Sequence, residues 1–223
     1  MPNLEVAVVN FTPPVPDAII SVSFAALCKA AAFVGTPAPF SWPGAKRSLR
    51  EMIWRVAMAT SNLGAVDGNW VRSNSYDALD GSEKGAVSFF LGGVQAQITS
   101  QQVLGYSHLV HVDALLESAG LPRAGTRPDF LAIDTRTLAP QATVEAKGRT
   151  HGYNATLLAN AKAQARAVLP AAITFGAVPE HVVSVSWFDR HGVWNSLLHD
   201  PPATGSPTEL HVEDVLRAYY RPV

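Results

Sequence analysis

Three charged side chains between residues 127 and 149 could do chemistry together. Asp129 begins an apolar segment that ends at Asp134, and Glu145 and Lys147 lie in a second segment in which small apolar and polar residues alternate. Because side chains alternate along a strand, Glu145 and Lys147 are expected to share one face. If the two segments pair as a hairpin, Asp129 lies across from the end of the second segment.

Two carboxylates at one sheet edge repel each other, and a shared proton or a divalent cation relieves that repulsion. Ligand sets made only of oxygen suit Mg²⁺, which binds through one or two carboxylates and keeps several waters. A lysine beside such a metal can orient a water or stabilise charge on a phosphate. The alternative for Glu145 and Lys147 is an ion pair at a strand end, which adds little stability.

A known signature has this pattern. Pro128-Asp129, followed after a gap by Glu145-Ala146-Lys147, resembles the PD-(D/E)xK motif of the restriction-endonuclease-like nuclease superfamily. The apolar periodicity and turn residues around the motif predict six elements: a helix over 82–104, strands over 107–112, 130–133 and 142–148, a helix over 154–168 and a strand over 181–188. This order is similar to the common core of that superfamily. The resemblance implies an α/β (α+β) restriction-endonuclease-like core, with a mixed central sheet flanked by helices, within residues 82–223.

The resemblance also implies roles for individual residues in a metal-dependent phosphodiester hydrolase. Asp129 and Glu145 would hold Mg²⁺, for which Mn²⁺ could substitute, together with the backbone carbonyl of Ala146. Lys147 would position the attacking water. Glu83 matches the acidic residue that such nucleases often carry on the first core helix, and would be a further catalytic and metal-supporting carboxylate. From the residues alone, Glu83 could equally complement the dipole at the start of its helix.

Four residues are candidates for nucleic-acid binding. Arg149 and His151 directly follow the motif and could meet phosphate oxygens, and Arg127 precedes it. Gln164 matches the position, on the helix after the motif strand, at which several such nucleases direct a glutamine or a basic residue toward the site. A solvated helix face explains Gln164 equally well.

The charge distribution bears on the partner. The chain has a net charge of −1, but residues 121–170 carry seven basic and three acidic residues, a local balance of +4. Positive charge around an acidic metal site favours a phosphate-backbone ligand. Ordinary surface charge is the alternative. With the family resemblance, this predicts nucleic acid as the partner, and DNA more than RNA.

Composition excludes several classes of protein. A hydrophobic share of 48% with 16% charged residues is typical of a folded globular chain. No apolar run approaches the roughly 18 residues of a membrane span, and no secretion signal is recognisable, so we expect a cytoplasmic protein that does not enter the membrane. The single Cys28 rules out an internal disulfide and cysteine-based zinc sites.

The remaining segments predict further elements and contacts. Residues 1–81 predict a mostly helical extension, with a strand near 4–11, helices over 17–32 and 46–60, and a loop over 62–80. Gly92-Gly93 in mid-helix predicts close contact with another element. His108 and His111 lie on a predicted strand and point in opposite directions, which favours structural histidines over a metal site. A strand over 193–198 and a closing helix over 213–220 complete the predicted elements.

Two other functions are consistent with the same pattern. One is a nucleic-acid-binding module with a nuclease fold and weak or lost chemistry, which the complete Asp129, Glu145 and Lys147 set argues against. The other is a partner-binding subunit of a larger defence or repair complex. Assembly as a homodimer or with a partner protein stays open. We therefore interpret the sequence as that of a metal-dependent endonuclease acting on DNA.

Overall fold

The computed structural model describes residues 1–36, 45–118, 120–123, 125–136, 140–167, 178 and 180–200. Fifteen elements lie in these ranges: β1 (Asn3–Val9), β2 (Ala18–Ser21), α1 (Phe24–Phe33), α2 (Ala45–Asn62), β3 (Leu63–Val66), β4 (Asn69–Arg72), α3 (Asn74–Asp77), α4 (Gly81–Gln102), β5 (His108–His111), α5 (Val112–Ser118), β6 (Phe130–Ile133), β7 (Pro140–Arg149), α6 (Ala155–Ala165), β8 (Glu180–Phe188) and β9 (Trp194–His199). Within these ranges, no helix combines the length and apolarity needed to cross a bilayer.

All nine strands belong to one mixed sheet. Their order is β3-β4-β1-β9-β8-β7-β6-β5, with β2 added to β1 outside this path. The strands β5, β6 and β7 are successive antiparallel neighbours, whereas β7 and β8 are parallel and are connected through α6. The predicted class, a mixed α/β sheet flanked by helices, is confirmed at this level.

Helices cover both faces of the sheet around β7 and β8. On one face α4 packs against both strands, and it also contacts α1 and α2, while α6 packs against the same strands from the other face. This arrangement explains why apolar and polar side chains alternate along β7. Ala142, Val144 and Ala146 belong to the hydrophobic core on the α4 side. Glu145 and Lys147 therefore face the α6 side.

The six elements predicted between residues 82 and 188 lie where the sequence places them. The order α4, β5, β6, β7, α6, β8 matches the predicted order, with the short helix α5 following the first of these strands. Asn154, the first residue of the predicted helix, caps α6, because its side chain accepts a hydrogen bond of 2.9 Å from the backbone N–H of Leu157. The predicted closing helix over 213–220 lies outside the described residues.

Residues 1–81 contribute more strands than the one predicted near 4–11. They contain four strands, and β1 lies between β4 and β9 in the sheet. The segment 62–80, predicted as a loop from its turn-forming residues, contains the hairpin β3–β4. Asp67 and Gly68 form its two-residue turn with φ of 49° and 78°, which is the Asp-Gly pattern of a tight hairpin.

The first helix begins later than predicted. Ala18–Ser21 pairs antiparallel with β1, so the β-branched Ile19 and Ile20 extend the sheet instead of a helix. Ser23 is the N-cap of α1. The carboxylate of Asp17, at the start of the predicted helix, accepts a hydrogen bond of 2.7 Å from the backbone N–H of Val8.

The glycines of α4 allow the helix to lie directly on the motif strand. A Cβ added to Gly92 would be 2.5 Å from the backbone nitrogen of Gly148, and one added to Gly148 would overlap the carbonyl oxygen of Ser88. The close contact predicted for Gly92-Gly93 is therefore confirmed. It fixes the end of β7, where Lys147 lies, against α4.

Candidate active site

The hairpin of β6 and β7 brings the two halves of the motif together. Phe130 lies opposite Val144, so Asp129, immediately before β6, lies beside Glu145 and Ala146. The backbone N–H of Asp129 donates to Oε2 of Glu145 at 3.0 Å. The backbone N–H of Ala146 donates to Oδ2 of Asp129 at 3.0 Å. Each half of the motif thus binds the carboxylate of the other half through its main chain.

Lys147 completes this group. Its ammonium donates to Oε1 of Glu145 and forms an ion pair with it. The Glu145 side chain is 1% exposed, whereas that of Lys147 is 25% exposed. The predicted common face of these two residues is confirmed, and the lysine lies on the more accessible side of the buried carboxylate.

Both carboxylates are held in conditions that favour a proton. Burial, followed by the negative charge of Asp129, raises the pKa of Glu145 from 4.5 to about 7, although Lys147 opposes this shift. Burial also raises the pKa of Asp129, against the opposing hydrogen bond from Ala146. Near neutral pH the metal-free pair therefore holds less than two negative charges, and a cation that binds both carboxylates must displace a proton.

The oxygen atoms around the pair fit a hard divalent cation. In an extended strand the N–H and C=O of one residue point to the same side, so the Ala146 carbonyl lies on the side of its N–H, toward Asp129. Two carboxylates and one carbonyl are ligands of the kind that Mg²⁺ takes, with further positions left for water and phosphate. Among the described residues, no group of three or more His, Cys, Asp or Glu side chains could hold a metal ion.

A polar cavity of about 470 Å³ adjoins Asp129. Two predicted nucleic-acid-binding residues, Arg127 and Gln164, line it, and so do His111 and Asp113. The position of Gln164 follows from a contact between elements: Thr143 of β7 donates to the carbonyl of Ala165 at 2.7 Å, which fastens the end of α6 to the motif strand.

Arg127 and Asp113 form an ion pair in the wall of this polar cavity. The hydrogen bond from Arg127 lowers the pKa of Asp113, which keeps that carboxylate ionised. The guanidinium of Arg127 is therefore already engaged, and a phosphate would have to share it with Asp113.

The other predicted site residues lie away from this cavity. Arg149 and His151 are exposed at and just beyond the end of β7. Glu83 is exposed near the start of α4, where it forms a capping box with Asp80: its Oε2 accepts the Asp80 N–H at 3.0 Å. Glu83 does not line either cavity beside Asp129. The structure thus gives it the helix-terminus role, and a role in catalysis stays a prediction.

The two histidines of β5 have different surroundings. One of them, His111, lies near the carboxylate pair although it was not predicted as a site residue. His108 matches the prediction, since its Nε2 lies 2.9 Å from the carbonyl of Thr36. His111, however, pairs with Phe130 across β5 and β6, and it lines both cavities beside Asp129. Burial lowers the pKa of His111, which favours the neutral imidazole. The antiparallel register of the two predicted strands is the signal that could have located it.

A second cavity of about 350 Å³, which we call the aromatic cavity, adjoins Asp129 between α2 and α4. Its lining includes Trp54, Phe89 and Phe90, and it extends to Asp129 and Ala146. Trp54 is 57% exposed and Phe89 is 64% exposed. No motif marks these residues in the sequence, because they come from helices that approach the site only in the fold.

The chain matches no protein-family model, no curated protein and no solved structure. The resemblance to the PD-(D/E)xK nucleases therefore depends on the motif residues, the order of elements and the geometry described above.

Proposed function

We propose that this chain is a divalent-metal-dependent nuclease of the restriction-endonuclease-like type, acting on DNA more than on RNA. The observation that carries the proposal is the reciprocal pair of main-chain hydrogen bonds that joins Asp129, just before β6, to the Glu145 segment of the neighbouring strand β7, with Lys147 on the buried Glu145 carboxylate. A structural ion pair requires only Glu145 and Lys147. A second, half-buried carboxylate beside them raises the energy of the metal-free site, and a cation would relieve that cost.

Asp129, Glu145 and the Ala146 carbonyl would hold the cation, Mg²⁺ or Mn²⁺. When bound, such an ion polarises a phosphate oxygen and lowers the pKa of a coordinated water. The order of strands and helices around the motif supports the same proposal, because it agrees with the core that the resemblance implies.

The side chains around the pair suit the remaining tasks of phosphodiester hydrolysis. Lys147 donates from the accessible side of Glu145, where its ammonium can orient a water and stabilise negative charge on a phosphate. The amide of Gln164 in the polar cavity can donate to a phosphate oxygen, as can the exposed Arg149 at the strand end.

Incubation of the purified protein with plasmid, linear duplex DNA, single-stranded DNA and RNA tests this function. We expect cleavage with Mg²⁺ or Mn²⁺ and none with EDTA. Asp129→Asn should abolish cleavage. Asp134→Asn is the matched control, because Asp134 follows the other end of β6 and lines neither cavity. It should cleave like the wild type.

The outcomes separate the proposal from its alternatives. Absence of cleavage in every arm, or equal loss in both aspartate variants, contradicts a catalytic site at Asp129. Salt-dependent binding without cleavage in Mg²⁺ would instead indicate a nucleic-acid-binding module.

A further inference from the structure

The aromatic cavity has features that metal binding and hydrolysis do not require. It lies on the α4 side of the sheet and includes Asp129 and Ala146 in its lining, so it opens beside the Asp129 carboxylate. Its volume of about 350 Å³ falls within the roughly 300–1,000 Å³ that is usual for small-ligand pockets. A ligand that fills it would therefore contact the candidate metal site at one end.

The aromatic rings of this cavity are open to solvent. Trp54 and Phe89 expose more than half of their surface, which leaves apolar area in contact with water. The ring of Trp54 lies 6.2 Å from that of Phe90 at an interplanar angle of 51°, so the two rings are not stacked face to face. The exposed Trp54 ring is thus available to a flat partner.

The cavity is not suited to bind a phosphate group itself. Besides Asp129, its charged lining residue is Arg55, which donates to the Val34 carbonyl at 2.9 Å and pairs with Glu51 at 3.0 Å. Its positive charge is therefore engaged within the protein. Flat, uncharged and aromatic groups match these walls best, whereas the oxygen-rich end at Asp129 matches a metal-bound phosphate.

We propose that the aromatic cavity takes an unpaired nucleobase of a single-stranded substrate, stacked against Trp54 and Phe89, while a neighbouring phosphate lies at Asp129 and Glu145. This inference rests on the proposed nuclease function. A duplex covers the faces of its bases by stacking, so only a single strand, a frayed end or an extruded base can enter. DNA and RNA strands carry the same aromatic chemistry, and the experiment distinguishes them.

Binding of labelled oligonucleotides tests the inference in an Asp129→Asn background, where cleavage does not consume the probe. The probes are single-stranded DNA, single-stranded RNA, duplex DNA and a single strand that carries only abasic sites. Because stacking on one aromatic side chain contributes about 1–3 kcal/mol per base, Trp54→Ala should weaken single-strand binding by roughly fivefold to 150-fold. Trp54→Phe should restore most of it.

Phe24→Ala is the matched control, because Phe24 is 61% exposed but does not line the aromatic cavity. It should bind every probe as the background protein does. The abasic strand should bind weakly and should not respond to Trp54→Ala. The single strand that binds with the higher affinity, DNA or RNA, is the kind of nucleic acid that supplies the base. Circular dichroism of each variant verifies that it is folded.

Several results would overturn the inference: equal binding of the abasic and base-carrying strands, equal losses in the Trp54 and Phe24 alanine variants, or preference for the duplex. Its failure is distinct from failure of the nuclease function. Cleavage of duplex DNA by the wild type, without base-dependent strand binding, refutes the cavity role alone. Base-dependent binding with no cleavage under any condition refutes the hydrolysis alone.

Discussion

At the scale of single residues, Glu145 has the most unusual environment in the site. Its side chain is 1% exposed, and its pKa of about 7 lies above the ordinary value of 4.5. Between these two pH values the folded chain binds more protons than the unfolded chain, so the metal-free fold loses stability as the pH rises through that window. For this one group, the loss is on the order of 3 kcal/mol.

Replacing Asp129 tests whether the two carboxylates share one site. Asp129→Asn removes the charge that helps to raise the pKa of Glu145, and the new amide oxygen can still accept from Ala146. We expect the metal-free variant to melt at the same temperature as the wild type or higher, and to lose less stability between about pH 5 and about pH 8. Thermal scans at both pH values provide the measurement.

The same scans with Mn²⁺ complete this test. A cation that binds only the folded state raises the wild-type melting temperature in proportion to RT ln(1 + [M]/Kd), and this response should largely disappear in Asp129→Asn. A structural ion pair predicts the reverse pattern, in which the variant melts lower and Mn²⁺ affects neither protein.

Lys147 is the residue at which binding and chemistry should separate. Lys147→Ala removes the ammonium that would orient the water, so we expect cleavage to slow by about 10²–10⁴. Nucleic-acid binding should change little. Lys162→Ala, which changes a lysine on α6 that lines neither cavity, should cleave normally. Near-normal cleavage by Lys147→Ala would exclude the assigned role.

At the scale of elements, the start of α4 distinguishes the two roles of Glu83. Since its carboxylate closes a capping box with Asp80 at the start of the helix, Glu83→Ala should lower the free energy of unfolding by about 0.3–1 kcal/mol. Cleavage and its Mg²⁺ requirement should be unchanged, as measured by urea denaturation and by titration of Mg²⁺ in the cleavage assay. A higher Mg²⁺ requirement, with stability unaffected, would restore the catalytic interpretation.

The contact between α4 and β7 leaves no space for a side chain at Gly148. In Gly148→Ala the added methyl group would overlap the Ser88 carbonyl, so the helix and strand must separate. We expect a loss at or above the roughly 1–3 kcal/mol typical of overpacked sites. Gly152→Ala is the control, because no atom lies within 4 Å of its added Cβ. Equal stabilities in urea denaturation would contradict this close contact.

Local patterns in the sequence were sufficient to predict the motif hairpin and its flanking elements. Alternation over 142–148 and the apolar run over 130–133 predicted β7 and β6, and their pairing follows from the short turn between them. The neighbours of the site were harder to predict. Trp54 and Phe89 reach it through helix packing, which sequence periodicity does not specify. The hairpin β3–β4 was missed because its strands are only four residues long and its turn residues dominate the composition.

At the scale of the whole molecule, the positive charge predicted around the motif is partly neutralised. Four of the seven basic residues in 121–170 form ion pairs within the described residues: Arg123 with Glu117, Arg127 with Asp113, Arg136 with Asp134, and Lys147 with Glu145. Two of these acidic partners, Asp113 and Glu117, lie just outside the window. A broad basic surface for duplex DNA is therefore not what this charge pattern favours.

This arrangement predicts a weak salt dependence of nucleic-acid binding. If basic side chains of the protein neutralise about two phosphates of a single strand, its affinity should fall by less than roughly tenfold between about 50 and 200 mM salt. A protein that makes 6–10 phosphate contacts loses affinity by a factor of about 10³–10⁵ over the same range. Binding isotherms across that salt range give the slope. A steep slope would indicate a basic surface that includes residues beyond those considered above.

The position of β1 also determines when the sheet can be completed during synthesis. β1 pairs in parallel with β9, and Glu5 lies opposite Asn195, about 190 residues later in the chain. At the roughly 5–20 residues per second of translation, β1 waits about ten to forty seconds for this partner. β2 can cover one edge of β1 early, and the β6–β7 hairpin can form as soon as it is made. Until β9 emerges, however, β1 and β8 each have an unpaired strand edge, and such edges promote association between chains. Nascent chains of this protein should therefore depend on chaperones until the sheet closes.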